Sequence, residues 1–510
     1  MSSRVKFLGA AILALSLVLV SGGLFPQRAQ AVSWSQSNAD GFGDALSWGD
    51  IQLFSYEGKI YAGVGNNASG GKIWRSADGT NWEGIMENGF GETANYLVGS
   101  FASFGGNIYA TVSKAMPTVA GGAEIWRSPT GDQGTWTQVN TDGFGDMFNI
   151  WMDGQNLTVF NGFLYAGTGL NLITGAEVWR SATGDPGSWS QANTDGFGTA
   201  NNTTIRTMKV YNGLLYAGVA NAAGSRIYRT SDGTTWELIN DNGFGKGANF
   251  EVLMLEEFNG NLYAGTLNGT GFELWRSPTG NTGTWSAAMI GGFGDANNTW
   301  PSVQAAIVNG TFWLGTRNDV DAAQLWYSTD GVTWTHEGAD GFGDANNYAL
   351  YAVSFEDELY IAFSNGTTGV EIWRGSGLPT LGFATESLPD GTVGNSYSTT
   401  LSASSGTSPF TYSLSSGSLP DGLSLNSNGV ISGTPTRSGS YSFAVLITDS
   451  GVPAQTTTKS YTITVSSTIS ASILPETGGE QGDLKYLGWL ALPILGTFSL
   501  VSSRKRLFAK

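Results

Sequence analysis

The sequence predicts an all-β protein whose largest part is a seven-bladed β-propeller, and three observations carry that prediction. First, Asp40-Gly41-Phe42-Gly43-Asp44 returns with the same Gly-Phe-Gly centre at Phe90, Phe144, Phe197, Phe244, Phe293 and Phe342, seven copies spaced 47 to 54 residues apart. A fixed period in this range marks stacked supersecondary units. Second, two landmarks keep constant phase between the copies: an alternating apolar run such as Lys59-Ile60-Tyr61-Ala62-Gly63, and an aromatic-Arg pair such as Trp74-Arg75, usually followed after a turn by another Trp such as Trp82. Bounded by Gly, Asn and Asp, these runs read as four short strands per unit, the arithmetic of a propeller blade. Third, the last Trp is missing after Trp373 but stands ahead of the first copy, in Ser33-Trp34-Ser35-Gln36. The N-terminal segment is therefore expected to supply the outer strand of the last blade, closing the ring and leaving no unpaired edge.

Composition narrows the function classes. The 74 glycines suit a turn-dense chain, and a formal charge of -17 argues against nucleic acid or an anionic membrane as an electrostatic partner. With no cysteine, disulfides, Cys-ligated zinc and thiol nucleophiles are excluded.

In chain order, residues 1–31 have the form of a secretory signal: Arg4 and Lys6, an apolar core from Leu8 to Val20, and Ala29-Gln30-Ala31 as cleavage site. Residues 32–377 are the propeller. Its Gly-Phe-Gly segments are expected to share one face with the loops between second and third strands, which vary in length and sequence, as binding loops on a rigid scaffold do. In residues 378–466 aromatics thin out, and alternating runs such as Tyr461-Thr462-Ile463-Thr464-Val465 between Gly- and Pro-rich turns predict a β-sandwich. The stretch from Gly391-Thr392-Val393-Gly394 through Leu419-Pro420-Asp421-Gly422-Leu423 and Gly429-Val430-Ile431-Ser432-Gly433-Thr434-Pro435 to Thr448-Asp449-Ser450 resembles bacterial Ig-like domains, which implies a stalk or accessory role.

The C-terminal part divides into a linker, 467–486, a transmembrane helix, 487–503, and a basic cytoplasmic tail, 504–510. Leu474, Pro475, Glu476, Thr477 and Gly478, followed by the apolar run and by Arg504-Lys505-Arg506, resemble a sortase cell-wall sorting signal. The apolar run is at the short end for a span, and the basic cluster would hold the tail inside. The resemblance implies cleavage between Thr477 and Gly478, sortase and peptidoglycan as partners, and a cell-surface, wall-anchored location. Membrane contact is expected only through the terminal segments, and a plain membrane anchor is the alternative.

The turns Ser76-Ala77-Asp78-Gly79-Thr80-Asn81-Trp82, Thr230-Ser231-Asp232-Gly233-Thr234-Thr235-Trp236 and Ser328-Thr329-Asp330-Gly331-Val332-Thr333-Trp334 resemble the Asp-box of sialidase-like propellers, one residue shorter. In that family the box is a folding element, so the resemblance bears on fold rather than catalysis. Features present in every repeat read as scaffold, among them the aromatic-Arg pairs and Asn95, Asn149, Asn202, Asn249, Asn298 and Asn347. The acidic residues Asp44, Glu92, Asp146, Asp295 and Asp344 raise calcium as a lesser alternative, since calcium takes oxygen donors. Thr199 and Lys246 break that set, and the expectation is hydrogen-bonded turns with no metal and no cofactor.

Departures from the repeat point to function. Arg206, Arg226 and Arg317 lie outside the aromatic-Arg pairs, near the loop side by phase, and resemble the carboxylate-binding arginine trio of sialidases, which works through paired hydrogen bonds. That family's Phe-Arg-Ile-Pro segment is absent, its blade number is six, and no Tyr-Glu nucleophile pair stands out. Asp153, Glu251, Asp319 and Asp321 are the carboxylates available for two-carboxylate glycoside hydrolysis. The only histidine, His336, is expected on an outer strand, which speaks against a Ser-His-Asp triad. No catalytic residue is assigned. Trp48, Tyr96, Trp151, Phe250, Trp300 and Tyr348 fall at the start of the innermost strands, where flat apolar rings suit sugars or protein side chains, with packing between blades as the plainer reading. The expected function is binding or adhesion toward glycan or protein through the loop side. The alternatives are a sialidase-like extracellular glycosidase using the three arginines and a passive spacer.

Overall fold

The computed structural model describes residues 32–115, 121–378, 380–406, 408–450 and 454–467. The expected signal, sorting motif, transmembrane segment and basic tail lie outside these. Among the described residues no helix is long and apolar enough to cross a membrane.

The protein is all-β, with a β-propeller-like repeat region followed by a second, sandwich-like body. Each Gly-Phe-Gly turn is followed by antiparallel strands that pair in sequence order. Repeat four is representative: Asn202–Tyr211, Leu214–Asn221, Arg226–Thr230 and Glu237–Asn240 form one four-stranded sheet. The bridges Gly65↔Leu97 and Arg317↔Ala349 join neighbouring repeats into two larger, curled sheets. In the seventh repeat the strand beside Glu371–Ser376 is the N-terminal Ser33–Gln36, in the register Gln36↔Trp373 and Ser33↔Ser376.

The Gly-Phe-Gly turn explains why its sequence is repeated. All seven phenylalanines have positive φ, from 54° at Phe197 to 62° at Phe244, a conformation costing an L-residue about 1–2 kcal/mol. What holds them is aromatic. Phe144 stacks on Trp179 with centroids 4.5 Å apart and planes within 4°, and meets Trp189 edge-on at 5.6 Å. The same sandwich forms at Phe42 with Trp74 and Trp82, at Phe90 with Trp126 and Trp136, and at Phe244 with Trp275 and Trp285. At Phe342 the edge partner is Trp34 of the N-terminal strand, 4.9 Å away. Each such pair adds about 0.5–1.5 kcal/mol beyond area burial, enough to offset the backbone strain. The first glycine is required by space: a Cβ on Gly243 would sit 2.5 Å from the carbonyl oxygen of Asn249.

A hydrogen-bonded chain secures the turn to the sheet. In repeat three, Asn149 Nδ2 donates to the Gly143 carbonyl (3.0 Å) and to Glu177 Oε2 (2.7 Å), and Trp179 Nε1 donates to the same Glu177 oxygen (2.7 Å). Repeats two, five and seven repeat this with Asn95-Glu124-Trp126, Asn249-Glu273-Trp275 and Asn347-Glu371-Trp373. Between repeats, the residue after the second-to-third-strand loop donates its N–H to the carbonyl preceding the next innermost strand. Examples are Ala123 to Asn149 and Ala176 to Asn202, both 2.7 Å, and the corresponding bond from Val370 reaches Ser47 of repeat one at 2.9 Å. Residues of the first and last repeats, Ile51, Leu53, Ile60, Tyr351, Tyr360 and Ile372, share one buried cluster.

In the Asp-box-like turns, Asp78 Oδ1 accepts the N–H groups of Thr80 (2.8 Å) and Asn81 (2.7 Å), and Asp232 does the same for Thr234 and Thr235. The carboxylate thus serves as a turn tie, as the sequence suggests. His336 lies on the outer strand Thr335–Glu337.

The second body pairs Gly391–Thr392, Thr456–Ser466, Gly439–Thr448 and Thr411–Gly417 in one sheet and Tyr397–Thr400, Val430–Gly433 and Leu423–Leu425 in another. Alternate residues Tyr461, Ile463 and Val465 turn inward against Ile431, Val445 and Ile447. It meets the repeat region at the turns joining first and second strands of repeats six and seven. There Gly406 N donates to the Asn309 carbonyl (3.0 Å), and Gln455 Nε2 donates to Asn309 Oδ1 (2.6 Å). Gly310, at φ 71°, leaves no room for a side chain, since a Cβ would fall 1.7 Å from the Gly406 carbonyl oxygen.

Two expectations follow. Phe144→Ala and Phe144→Gly both lose the aromatic sandwich, but only Ala keeps the left-handed strain. In chemical denaturation Phe144→Gly is expected to be the more stable of the two by about 1 kcal/mol, the reverse of the usual order. Gly310→Val is expected to push the Ig-like body off the repeat region, seen as a larger radius of gyration in small-angle scattering and faster proteolysis near Leu378, with repeat-region melting unchanged.

Candidate functional site

The loop side is built by the Gly-Phe-Gly turns and the loops after the second strands, and an asparagine at the end of the second strand joins the two in most repeats, with Lys114 in its place in repeat two. Asn171 Nδ2 donates to Asp146 Oδ2 (2.9 Å), while its Oδ1 accepts the N–H groups of Ile173 (3.2 Å) and Thr174 (3.0 Å). Asn66, Asn318 and Asn365 hold Asp44, Asp295 and Asp344 in the same way, each at 2.9 Å. These bonds make the loop side a fixed surface. They also occupy Asp44, Asp146, Asp295 and Asp344, four of the five acidic residues that raised calcium, and among the described residues no group of three or more His, Asp or Glu side chains is placed to hold a metal.

The six aromatics stand where the innermost strands begin. Trp48 opens Trp48–Tyr56, Tyr96 and Tyr348 are second residues of their strands, Trp300 opens Trp300–Pro301, Trp151 bridges Gly169, and Phe250 immediately precedes Glu251–Phe258. None is fully buried: Phe250 is exposed and the other five are half-buried. Trp48 and Tyr96 lie 6.2 Å apart. Trp300 and Tyr348 take the guanidinium of Arg317 between them, its Cζ 4.6 Å from one ring centroid and 5.2 Å from the other. Such cation–π contacts are worth about 0.5–2 kcal/mol and hold both rings in a defined orientation. Arg317 Nε also bonds Asp319 at 3.1 Å.

The three arginines have three different sets of partners. Arg206 is buried, its Nη1 on Asp153 and its Nε on Glu251 (2.9 Å), with the guanidinium over Trp151 at 5.3 Å. Arg226 takes the strand position filled by Glu124, Glu177, Glu273 and Glu371 in other repeats, and bonds Asp241 at 2.9 Å. Thus Trp300, Tyr348 and Arg317 form one group, Trp151 and Arg206 another, Trp48 and Tyr96 a third. Asp153 and Glu251, candidates for a two-carboxylate pair, meet on Arg206 in a buried triad, where removing one partner would strand uncompensated charge.

Charge swaps within the repeat complete the site's electrostatics. Lys72, Lys114 and Lys246 each replace a polar or acidic residue of the repeat and bond a neighbouring carboxylate: Asp44 at 2.6 Å, Glu92 and Glu124 at 2.6 and 2.7 Å, and Glu273 at 2.6 Å. The bond from Lys72 holds the Asp44 carboxyl below its ordinary range. Repeat three keeps both acids, and burial, with Asp195 and Asp146 nearby, pushes the Glu177 carboxyl up. Lys246 is visible in the sequence as an exception in the acidic set. Lys114 and Lys72 become visible only once the asparagine and glutamate columns are aligned on the strands.

Residues 379–466 match the family described as “Putative Ig domain” (He_PIG), so an Ig-like domain follows the repeats. No curated protein matches the chain. Solved structures similar in fold include a prolyl endopeptidase, at TM-score 0.43 and 13% identity over 80% of this chain and 55% of that one. They also include Trypanosoma rangeli sialidase in complex with sialic acid, at 0.38 and 12% over 85% of this chain and 88% of that one. A third is the extracellular domain of a hybrid two-component system of B. thetaiotaomicron, at 0.41 and 12% over 85% and 58%. The chain thus spans little more than half the length of the first and third. At such low TM-scores these likenesses carry no argument about activity.

Repeat six has Gln324 where repeat three has Glu177, and its Nε2 reaches Asp340 (3.2 Å) while Oε1 serves Asn298 and Trp326. Glu177→Gln is therefore expected to fit, with Asp195 as the new acceptor. Because the folded carboxyl of Glu177 is raised, the unfolded chain gives up that proton first. Deprotonation thus weakens folding as pH rises from the unfolded value through the folded one. The variant is expected to show a higher Tm than the parent at pH 7 and to lose that advantage near pH 4, measured by scanning calorimetry.

Proposed function

We propose that this chain is an exported cell-surface binding protein that recognises glycan or protein through the loop side of a seven-bladed propeller, with the Ig-like domain as its support. The ring reading is supported by the N-terminal strand beside Trp373, by Trp34 against Phe342, and by the bond from Val370 to Ser47. The wall-anchored location, with sortase and peptidoglycan as partners, rests on the sorting-signal resemblance at Leu474, Pro475, Glu476, Thr477 and Gly478. A membrane anchor at 487–503 is its fallback.

The observation that carries the binding reading is the state of the aromatics. All six remain partly exposed at the start of the innermost strands, and Trp300 and Tyr348 are braced by Arg317. Rigid, half-exposed rings on a fixed scaffold lose little entropy on binding and suit sugar faces or protein side chains. The support is placed to match: the Ig-like domain touches the turns at the far ends of the strands from the Gly-Phe-Gly turns. A glycosidase would need two carboxylates facing a cavity at about 5–9 Å, and Asp153 and Glu251 are instead buried and bound to Arg206.

The test is to screen the purified full-length chain on immobilised glycans and extracellular proteins, with Trp151→Ala and Trp300→Ala in parallel. The expected outcome is a specific ligand whose affinity falls about tenfold or more in at least one variant. A ligand bound equally well by both variants would remove the aromatics from the site.

A further inference from the structure

Two features of repeat three on the loop side point to what it can meet, and the first sets it apart from the other repeats. Met147, Phe148, Leu172 and Ile173 are between 45% and 61% exposed, four large apolar side chains on two adjoining loops. They are held in place there. Asp146 Oδ1 accepts the N–H of Phe148 (2.9 Å), Asn171 Oδ1 accepts that of Ile173, and Asn171 Nδ2 ties the second loop to Asp146 and to Asn149 (3.0 Å). The corresponding loops of repeats one and six contribute Leu46 and Val320. Contiguous apolar surface on a rigid loop marks an interaction site.

The second feature is charge, which repeat three shares with repeat seven, where Asp344 and Glu371 are likewise held by Asn and Trp donors. In repeats one, two and five a lysine bonds the local carboxylates, whereas Asp146 and Glu177 are bonded to Asn, Thr, Trp and backbone donors. Alongside, Thr174, Gln191, Asn193, Asp195 and Thr199 line a shallow hollow of about 550 Å³, with Asp195 exposed in it. Burial first, and then Asp195 and Asp146 nearby, push the Glu177 carboxyl up, so three acids share this corner of the loop side.

An apolar crown beside a hollow that carries the exposed Asp195 is complementary to one kind of occupant. We infer that repeat three docks a protein partner through a segment that combines apolar side chains with lysine or arginine, the apolar groups covering Met147, Phe148, Leu172 and Ile173 and the cation entering the hollow toward Asp195. Nucleic acid and anionic lipid would be repelled by the same charge. The inference rests on the loop side being a binding surface, and it names the partner class for one part of it.

The experiment is to pan a phage library of random linear peptides against the immobilised full-length chain, then measure Kd for a selected synthetic peptide by fluorescence polarisation. Enriched peptides are expected to pair apolar residues with Lys or Arg. Leu172→Ser combined with Ile173→Ser is expected to weaken Kd about tenfold or more. Asp195→Asn is expected to weaken it several-fold and to flatten its salt dependence. Val332→Ser, an exposed apolar change on a hairpin between third and fourth strands, is expected to leave Kd unaltered, and equal thermal melts exclude unfolding. Acidic or purely polar consensus peptides, or a Kd indifferent to the Leu172 and Ile173 changes, would overturn the inference. If Kd instead responds to Trp300→Ala, the inference falls while the loop-side reading stands. If no peptide is enriched while glycan binding persists, this inference alone fails.

Discussion

The structure depends on a phenylalanine held in a conformation it would not choose. In each Gly-Phe-Gly turn three successive residues carry positive φ or are flanked by one that does, and the backbone doubles back sharply enough to drop an aromatic ring between two others. The strain and the stack require each other. Without the sandwich, about 1–2 kcal/mol per turn would favour an ordinary loop; without the turn, the ring could not reach the gap between the tryptophans of the third and fourth strands. The asparagine-carboxylate-tryptophan chain then fixes which face of the Trp is offered to the Phe. One short motif therefore sets the path from one sheet to the next, and its seven copies give a repeat region whose sheets differ in detail but meet in the same way.

That arrangement divides the strands into two ends with different duties. At the Gly-Phe-Gly end, polar side chains are spent on backbone: Asn66, Asn171, Asn318 and Asn365 each pin a loop to a turn. At the other end, the glycine of a tight turn such as Asn309-Gly310 leaves backbone uncovered, which lets another chain segment come within hydrogen-bond distance, as Gly406 does. A tight turn opened by a glycine suits close approach of a neighbouring domain, while a surface with pinned, variable loops suits recognition. The Ig-like domain sits at the first, which leaves the second uncovered by it.

Much of this was legible in the sequence because the repeat supplies its own controls. Phe42 alone says little, but seven phenylalanines in phase with seven aromatic partners identify a joint, and the absence of a Trp after Trp373 points to Trp34. Fold class, strand phase, the role of Asp78 and Asp232 in turns and the outer-strand position of His336 all follow from comparing copies. Side-chain direction does not. Arg206, Arg226 and Arg317 look alike as exceptions, yet one is buried on the innermost strand, one replaces a scaffold glutamate and one is braced between rings. Which of these an arginine becomes depends on contacts with residues some fifty positions away, such as Asp153 and Glu251 on Arg206. Local periodicity carries no information about those pairings. The loop holding Leu172 and Ile173 belongs to the variable loops by phase, but the outward direction of these side chains follows only from Asn171, whose Oδ1 accepts the Ile173 and Thr174 N–H groups and turns the backbone.

The charge swaps show how the repeat tolerates change, and what intolerance would mean. Lys72 replaces a glutamate, Lys114 an asparagine and Lys246 an aspartate, three different columns, yet each lands within 2.6 to 2.7 Å of a carboxylate left over by its neighbours. Gln324 reaches the same end in repeat six by removing a charge. Both are inexpensive solutions to one problem, a buried acid close to other acids. Repeats three and seven use neither, and keep Glu177 and Glu371 as acceptors for the asparagine and tryptophan of the turn. In repeat three that carboxylate also stands beside Asp146 and Asp195, so the acceptor that fixes the Trp face leaves negative charge under the loops, and the joint holds despite the local repulsion.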